Sequence, residues 1–276
     1  MARQKRIALI NDITGFGRCS VTVQLPLISA MRVQACPLPT AILSVHTGFP
    51  NHYLDDYTDR MRPYMENWAA NALEFDAILT GFLGSERQIE VVLECIARFK
   101  QRTTQLVVDP VMGDNGSLYS SYTPALCAKM RQLLPQADVV TPNLTEACQL
   151  LGADYPTGGL VTEDELARMA AAIAAMGPRT VIITGLHADE NVRTYLYADG
   201  CGRSFDNPKV GRDRSGAGDA FSAIIAAALV RGIPLAEGVP RAADFIGHCL
   251  TYAEELDLPW NHGLPFEEFM GELTAL

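Results

Sequence analysis

Residues 213–221 read Asp-Arg-Ser-Gly-Ala-Gly-Asp-Ala-Phe, a glycine-rich turn that leads directly into an apolar helix predicted over 217–231. Small residues leave the backbone N–H groups uncovered at a helix N-terminus, where the helix dipole also favours an anion. Asp219 falls in the first turn, where its carboxylate can accept the proton of a hydroxyl group bound beside the turn. Taken alone, the pattern also fits a plain helix start in which Asp219 complements the dipole.

Short aliphatic runs alternate with longer amphipathic ones along the rest of the chain. Strands are predicted over 6–10, 33–38, 76–80, 105–109, 138–141 and 180–184, with helices between them over 21–31, 53–73, 86–100, 124–134, 143–151 and 162–176. Residues 40–51 are predicted as a loop or flap, 192–205 as a hairpin, and 235–256 and 265–273 as closing helices. This alternation predicts an α/β fold: a doubly wound, mostly parallel sheet with helices on both faces. We expect a single domain over 1–276.

Composition narrows the class of protein. The 276 residues carry a formal net charge of −10, which argues against a nucleic-acid or anionic-membrane partner because such surfaces need a basic face. The seven cysteines are scattered and never form a C-x-x-C pair. This pattern is typical of reduced thiols and predicts a cytoplasmic protein without a structural zinc site.

Acidic and amide side chains follow several predicted strands, at the sheet edge where such folds bind ligands. Asp109 begins the stretch DPVMGD, and Asn143 and Glu146 lie three residues apart in TPNLTEA. A capping box explains the second pair equally well. Asp109 and Glu146 together can also hold the water shell of a magnesium ion, which uses few carboxylates.

Residues 44–49, Ser-Val-His-Thr-Gly-Phe, lie in the predicted flap. His46 and Thr47 offer hydrogen-bonding groups, and Phe49 can cover an aromatic ring. An ordinary surface loop explains this stretch equally well.

These stretches together resemble a known family. DRSGAGDAF is similar to the signature of the ribokinase superfamily, and the resemblance implies a ribokinase-like fold. DPVMGD, TPNLTEA, SVHTG (44–48) and GFLG (81–84) together resemble its vitamin B6 kinase branch, the pyridoxal and pyridoxamine kinases. The similarity runs from residue 7 to about residue 228, and the C-terminal helices match only in general character.

The resemblance implies transfer of the terminal phosphate of ATP to the 5′-hydroxymethyl group of pyridoxal, pyridoxamine or pyridoxine in vitamin B6 salvage. Asp219 would be the catalytic base, and Gly216, Ala217 and Gly218 would form the anion hole. The implied substrate pocket comprises Asn11, Asp12, His46, Thr47 and Phe82. Implied contacts to ATP come from Asp114, Tyr119, Asn143, Thr184 and Gly185, and to Mg²⁺ from Asp109 and Glu146. A monovalent cation such as K⁺ and a homodimer are also common in such kinases.

This chain departs from that branch at its substrate end. Asn11-Asp12 stands where many vitamin B6 kinases have Ser-His, Phe82 where many have tyrosine, and GAGD where several have GTGD. We hypothesise that Asp12 favours the cationic aminomethyl group of pyridoxamine over the aldehyde of pyridoxal.

Other functions fit less well. Residues 15–20, Gly-Phe-Gly-Arg-Cys-Ser, lack the third glycine of a dinucleotide-binding turn, the P-loop string G-x-x-x-x-G-K-[ST] is absent, and the five histidines never form H-E-x-x-H. The main alternative is a hydroxymethylpyrimidine kinase of thiamine synthesis, whose usual S-D-x-S-G-G-A-G stretch is replaced here by NDITGFGRCS. A sugar kinase would normally bring a larger lid. A non-catalytic ligand sensor on the same fold is the alternative from another class.

Overall fold

A computed structural model describes residues 3–156 and 161–274. Its strands are β1 (Arg6–Phe16), β2 (Gln34–Val45), β3 (Leu54–Asp56), β4 (Ala77–Thr80), β5 (Gln105–Val108), β6 (Gly113–Asp114), β7 (Ser117–Leu118), β8 (Val139–Val140), β9 (Thr180–Ala188), β10 (Asn191–Ala198) and β11 (Cys201–Pro208). Its helices are α1 (Val21–Ala30), α2 (Thr58–Ala70), α3 (Glu86–Phe99), α4 (Pro124–Met130), α5 (Leu144–Leu151), α6 (Glu163–Ala174), α7 (Ala217–Arg231), α8 (Leu235–Glu255) and α9 (Met270–Thr274). Short 3₁₀ turns cover Arg131–Gln136, Trp260–His262 and Glu267–Phe269.

One nine-stranded sheet organises the molecule, in the order β11-β10-β9-β8-β5-β4-β1-β2-β3. The six central strands, from β9 to β2, run parallel to one another. The edge strands β3, β10 and β11 pair antiparallel. Because the central strands are parallel, their carboxyl ends meet at one edge, where ligands of such sheets bind.

The central strands are apolar throughout because helices cover both faces of the sheet. In β1, Ala8 and Ile10 face the core formed with α2–α6, while Ile7 and Leu9 face the core formed with α1, α7 and α8. All four side chains are fully buried. Burial on both faces therefore explains why these strands read as continuous aliphatic runs.

The predicted fold class is confirmed: the sheet is mostly parallel and has helices on both faces. Helix α7 has the predicted bounds. The capping box predicted from Asn143 to Glu146 is present, and a second one joins Thr162 to Glu165. Asp199 and Gly200 form the hairpin turn with φ values of 51° and 80°, the left-handed pair that a tight two-residue turn requires.

The prediction of a loop over 40–51 is wrong for its first half. β1 continues to Phe16, and β2 stays paired with it as far as Val45. The short strand β3 then pairs with β2 at Leu43, so the helix predicted over 53–73 begins only at Thr58. Residues 40–45, Thr-Ala-Ile-Leu-Ser-Val, are mostly apolar and compatible with a strand, and the turn formers Gly48, Pro50 and Asn51 follow them. The irregular part of the flap is therefore confined to 46–53.

Two further predictions concern the ends of helices and the cysteines. The helix predicted over 265–273 is wrong in its first part, because a 3₁₀ turn precedes α9, which begins at Met270. All seven cysteines, each within the described ranges, are free thiols. No helix in the described part of the chain is long and apolar enough to cross a membrane.

Candidate active site

Asp219 lies in the first turn of α7 and lines a cavity of about 420 Å³ at the carboxyl edge of the sheet. Its Oδ1 accepts a hydrogen bond from Asn11 Nδ2 (2.9 Å), and its Oδ2 accepts one from the Ser20 backbone N–H (2.8 Å). Burial raises the pKa of this carboxyl to about 6, and the two hydrogen bonds oppose that rise. A carboxylate with a pKa close to the working pH suits a general base.

Asn11, predicted to line the substrate pocket, lies behind the cavity wall and is fully buried. Its Nδ2 also donates to Gln24 Oε1 (3.0 Å), and its Oδ1 accepts from the backbone N–H groups of Asp12 (2.9 Å) and Phe82 (2.8 Å). Every polar atom of the amide is therefore engaged. This network fixes the orientation of Asn11, and Asn11 in turn fixes Asp219.

Ser20 is a contact of Asp219 that the sequence analysis missed. The segment before α1 has positive φ at Gly17 (121°), Arg18 (47°) and Ser20 (56°), a region that non-glycine residues adopt at a cost. This backbone aims the Ser20 N–H at Asp219 Oδ2. Nothing in the residue types Arg18 and Ser20 predicts such a conformation.

The anion nest, residues 216–218, stands directly before Asp219. Gly216 caps α7 with φ of 87°, and a Cβ there would lie 2.0 Å from the Arg18 carbonyl oxygen. At Gly218 a Cβ would meet nothing within 4 Å. Ala217 N donates to the Arg214 carbonyl at 3.4 Å, whereas in the described part of the chain the N–H groups of Gly218 and Asp219 have no backbone partner and remain available to an anion.

Asp109 and Glu146, the predicted magnesium residues, are both buried. Burial, then repulsion from Asp219, raises the pKa of Asp109 to about 8, and burial and Asp109 raise the pKa of Glu146 well above its usual range. Glu146 Oε1 accepts from Met112 N (3.1 Å), and Oε2 accepts from Asn143 N (2.9 Å). Two buried carboxyls with raised pKa values form an oxygen-rich site that a hard cation would neutralise.

The described residues contain no cluster of three or more acidic, histidine or cysteine side chains able to hold a metal directly. Within the same ranges, the hydroxyls of Thr80 and Thr141 are buried without a hydrogen-bond partner. Both threonines stand at the carboxyl ends of central strands, beside Gly81 and Pro142. This donor set fits a hydrated Mg²⁺ better than a directly coordinated one.

The residues predicted to contact ATP lie in different parts of the site. Asn143 is held by the capping box, its Nδ2 donating to Gly113 O (2.8 Å), and it neighbours Thr184 in the sheet. Gly185 follows with φ of 66°. Asp114 lies in the β6–β7 hairpin, whereas Tyr119 lines the same cavity as Asp219.

Four of the predicted substrate residues, Asp12, His46, Thr47 and Phe82, line the cavity. Asp12 is buried and accepts a hydrogen bond from Thr14 Oγ1 (2.6 Å), and burial raises its pKa. His46 Nδ1 accepts from Gly48 N (3.1 Å), so the ring proton is assigned to Nε2, which donates to Asn261 O (2.9 Å). Trp260 also lines the cavity, and the sequence analysis missed it.

This geometry joins a carboxylate, an anion nest and an aromatic-lined cavity. A hydroxyl group bound in the cavity can give its proton to Asp219, while the nest neutralises charge on a group transferred to the oxygen. Such an arrangement performs group transfer between a phosphate donor and an alcohol.

Comparison with known proteins agrees with this chemistry. The phosphomethylpyrimidine kinase model matches residues 25–263. A hydroxymethylpyrimidine/phosphomethylpyrimidine kinase of Rhizobium meliloti is 29% identical over 90% of this chain and 91% of its own length. A pyridoxine kinase of Bacillus subtilis is 33% identical over 68% of each chain. The chain spans 37% of a bifunctional thiamine-biosynthesis enzyme of Arabidopsis thaliana, at 32% identity.

Two solved structures extend the comparison. One is a Bacteroides thetaiotaomicron protein assigned as a phosphomethylpyrimidine kinase and crystallised with pyridoxal; it is 35% identical, with a TM-score of 0.93 over 99% of this chain and 96% of the other. The other is the Staphylococcus aureus pyridoxal kinase in complex with AMP-PCP, 25% identical, with a TM-score of 0.78 over 91% and 89%. Fold and site thus define a kinase of the ribokinase-like class. Within that class, the chain belongs to the phosphomethylpyrimidine kinase family, which is similar to the pyridoxal kinases.

The two nest glycines provide a test that separates folding from activity. Gly216→Ala should destabilise the protein by at least about 1–2 kcal/mol, because alanine resists this left-handed backbone and its Cβ would meet Arg18 O. Gly218→Ala should keep or slightly raise stability, since alanine is the better helix former, yet lose kinase activity because the methyl group fills the space above the nest. Urea unfolding and a kinase assay check both; a Gly216→Ala protein as stable as the parent would contradict the close packing.

Asp109→Asn tests whether the buried carboxyl of Asp109 has a raised pKa. With a pKa raised from 3.8 to about 8, folded Asp109 holds a proton that the unfolded chain releases, so its contribution to stability is lost as pH rises from about 4 to about 8. We expect the variant to melt above the parent at pH 8 by a few degrees, since about 1 kcal/mol corresponds to roughly 2–4 °C at this size. The gain should shrink at pH 5. Melting curves with a chelator measure this, and an equal difference at both pH values would refute the assignment.

Proposed function

We propose that this protein phosphorylates the 5′-hydroxymethyl group of a vitamin B6 vitamer with ATP. The observation that carries the proposal is Asp219, anchored by two hydrogen bonds at the wall of a cavity whose other sides include Phe82, Tyr119 and Trp260. A cavity of about 420 Å³ has room for a substituted pyridine ring and part of a phosphate donor. The aromatic walls match the flat face of such a ring.

Different residues of this chain accept the proton, stabilise the phosphoryl charge and exclude water. Asp219 takes the proton of the acceptor hydroxyl as its oxygen bonds to the γ-phosphorus and the bond from that phosphorus to the β-phosphate oxygen breaks, so that ADP leaves. Asn11 and Ser20 hold the carboxylate in place during the transfer. The N–H groups at the start of α7 stabilise the negative charge on the phosphoryl oxygens. The flap over 46–53 excludes water from the ring and limits wasteful hydrolysis of ATP.

ATP and magnesium enter the proposal from different observations. The AMP-PCP complex of the Staphylococcus aureus relative supports ATP as the donor. Asp109 and Glu146 would hold Mg²⁺ through its water shell, and the ion would neutralise phosphate charge. In the ion's presence both carboxyls would lose their protons more readily, because a nearby cation lowers their pKa.

The relatives leave a pyridine and a pyrimidine acceptor to be distinguished. Hydroxymethylpyrimidine is also a flat ring with a hydroxymethyl group, and the matching family model and the Rhizobium meliloti relative favour it. The Bacteroides thetaiotaomicron structure with pyridoxal and the Bacillus subtilis pyridoxine kinase favour vitamin B6. The substitution of NDITGFGRCS for the usual pyrimidine-kinase stretch adds weight to vitamin B6.

A kinase assay on pyridoxal, pyridoxamine, pyridoxine and hydroxymethylpyrimidine tests the proposal. We expect kcat/KM for the best B6 vitamer to exceed that for the pyrimidine at least tenfold, a difference of about 1.4 kcal/mol. Asp219→Asn should lower the rate by roughly 10²–10⁴-fold, whereas Asp213→Asn, an exposed residue of the same loop, serves as the matched control. If kcat/KM is instead higher for hydroxymethylpyrimidine, the acceptor is the pyrimidine. If no acceptor is phosphorylated, a non-catalytic sensor is favoured.

Asp12 should set the preference among B6 vitamers. Asp12 and Asp219 line one cavity, and Asp12 raises the pKa of Asp219, which indicates that the carboxyls are close. The 4- and 5-substituents of the pyridine ring are adjacent, so a hydroxymethyl group at Asp219 brings the aminomethyl group of pyridoxamine near Asp12. A carboxylate there would bind this cation and gain little from the aldehyde of pyridoxal.

Asp12→Asn tests this assignment, because it removes the charge and keeps an acceptor for Thr14. The pyridoxamine-to-pyridoxal ratio of kcat/KM should fall about tenfold, the loss of one charged hydrogen bond of about 1.5 kcal/mol. Since burial raises the pKa of Asp12, the preference in the parent should also weaken as pH falls and the carboxyl gains its proton. Asp55→Asn, on the exposed edge strand β3, is the control. An unchanged ratio would remove Asp12 from substrate selection.

A further inference from the structure

The segment between α8 and the last 3₁₀ turn, residues 258–263, contributes Trp260 to the lining of the cavity; we call it the C-terminal strap. It contains the 3₁₀ turn Trp260–His262 and ends at Gly263, whose φ is 76°. The sequence gives this segment no recognisable motif. Its contacts nevertheless reach three separate loops of the candidate site.

Arg214 holds the beginning of the strap. Its side chain is only 2% exposed, and its Nη1 donates to the carbonyls of Leu258 (2.9 Å) and Pro259 (3.1 Å). Its Nη2 donates to Glu254 Oε1 (2.9 Å) at the end of α8. A buried guanidinium that binds two successive carbonyls fixes the backbone directly before Trp260, and Arg214 itself lies five residues before Asp219.

The end of the strap is held by the other two loops. Arg18 Nη1 donates to His262 O (3.2 Å), and His46 Nε2 donates to Asn261 O (2.9 Å). Gly263 packs so closely on Gly17 that a Cβ would lie 1.9 Å from the Gly17 carbonyl oxygen. The strap is therefore bound to the loop that aims Ser20 at Asp219, to the flap and to the segment before the anion nest.

These contacts deliver the indole of Trp260 to the cavity. The ring lies against the flap, since a Cβ at Gly48 would come within 2.8 Å of its edge, and its centre is 6.1 Å from that of His46. The residue remains 41% exposed, while the chain's other tryptophan, Trp68, is 8% exposed in the core. A partly exposed indole that lines an aromatic-walled cavity, on a backbone held at several points, offers a stacking surface for a flat ring.

We infer that Trp260 contacts the ring of the phosphate acceptor and sets its affinity, and that the C-terminal strap positions it. The inference rests on the proposed function in one respect, namely that the acceptor is a small aromatic alcohol. Trp260 contacts the flap at Gly48 on one side and the acceptor ring on the other, so the bound ring is held next to the flap. Arg214 acts as a positioning residue, through the strap.

Two single-tryptophan proteins test the contact directly. Trp68→Phe leaves Trp260 as the reporter, and Trp260→Phe leaves Trp68. Acrylamide quenching of the Trp260 reporter should fall at least twofold when pyridoxine is saturating, because the bound ring covers the exposed indole face. Quenching of the Trp68 reporter should not change on addition of pyridoxine.

Kinetics provide the second measurement. Trp260→Ala should raise KM for the acceptor at least tenfold while KM for ATP changes less than twofold, and Trp260→Phe should restore most of the affinity because it keeps a flat face. A structural role alone would move both KM values or the melting temperature. The inference would be overturned if acrylamide quenched the Trp260 reporter equally well with and without an acceptor that the enzyme phosphorylates. It would also be overturned if Trp260→Ala left the acceptor KM unchanged. In either case the kinase function would stand.

The acceptor that the kinase assay identifies is the one used in these measurements. Where hydroxymethylpyrimidine proves to be the acceptor, the same two measurements are made with it; shielding of Trp260 then supports the inference although the B6 proposal fails. Where no acceptor is phosphorylated and none shields Trp260, both proposals fall.

Discussion

The structure depends on one carboxylate that is held by groups from the opposite end of the chain. Asp219 enters the site on α7, but both of its hydrogen-bond donors, Asn11 and the Ser20 N–H, come from β1 and the loop after it. The left-handed Gly216 permits this contact, because only a residue without a side chain lets the start of α7 approach the Arg18 carbonyl. Three local irregularities surround this contact. They are the bulge between β1 and β2 near Asp12, the positive-φ backbone before α1 and the left-handed Gly216 that caps α7.

The acidic residues at the carboxyl edge carry a cost that a bound magnesium ion would relieve. Asp109, Glu146 and Asp219 are enclosed near one another, and burial raises the pKa of each. A stability-driven design would replace at least one of them with a neutral side chain. Their presence therefore marks the region as one shaped by its ligands, and it agrees with membership of a kinase family.

Much of the fold could be predicted from the sequence, whereas the features that depend on long-range packing could not. Aliphatic runs buried on two faces, amphipathic runs between them and the capping pair Asn143 and Glu146 are local signals, and they predicted the central strands and α5. The continuation of β2 to Val45 follows from pairing with the extended β1, a long-range contact that the short apolar run 41–45 does not signal by itself. The positive φ of Ser20 and the arrival of Trp260 at the cavity arise only from long-range packing, so no nearby motif signals them.

The contacts that complete the site join residues very far apart in the chain: 208 positions separate Asn11 from Asp219, and 215 separate His46 from Asn261. Closing such long loops costs more chain entropy than forming a neighbouring strand and helix. A molecule in which only the first half of the sheet has formed lacks the base, the nest and the strap together. Competence for phosphate transfer is thus an all-or-none property of the fully assembled chain, and a partly folded one has no means to consume a nucleotide.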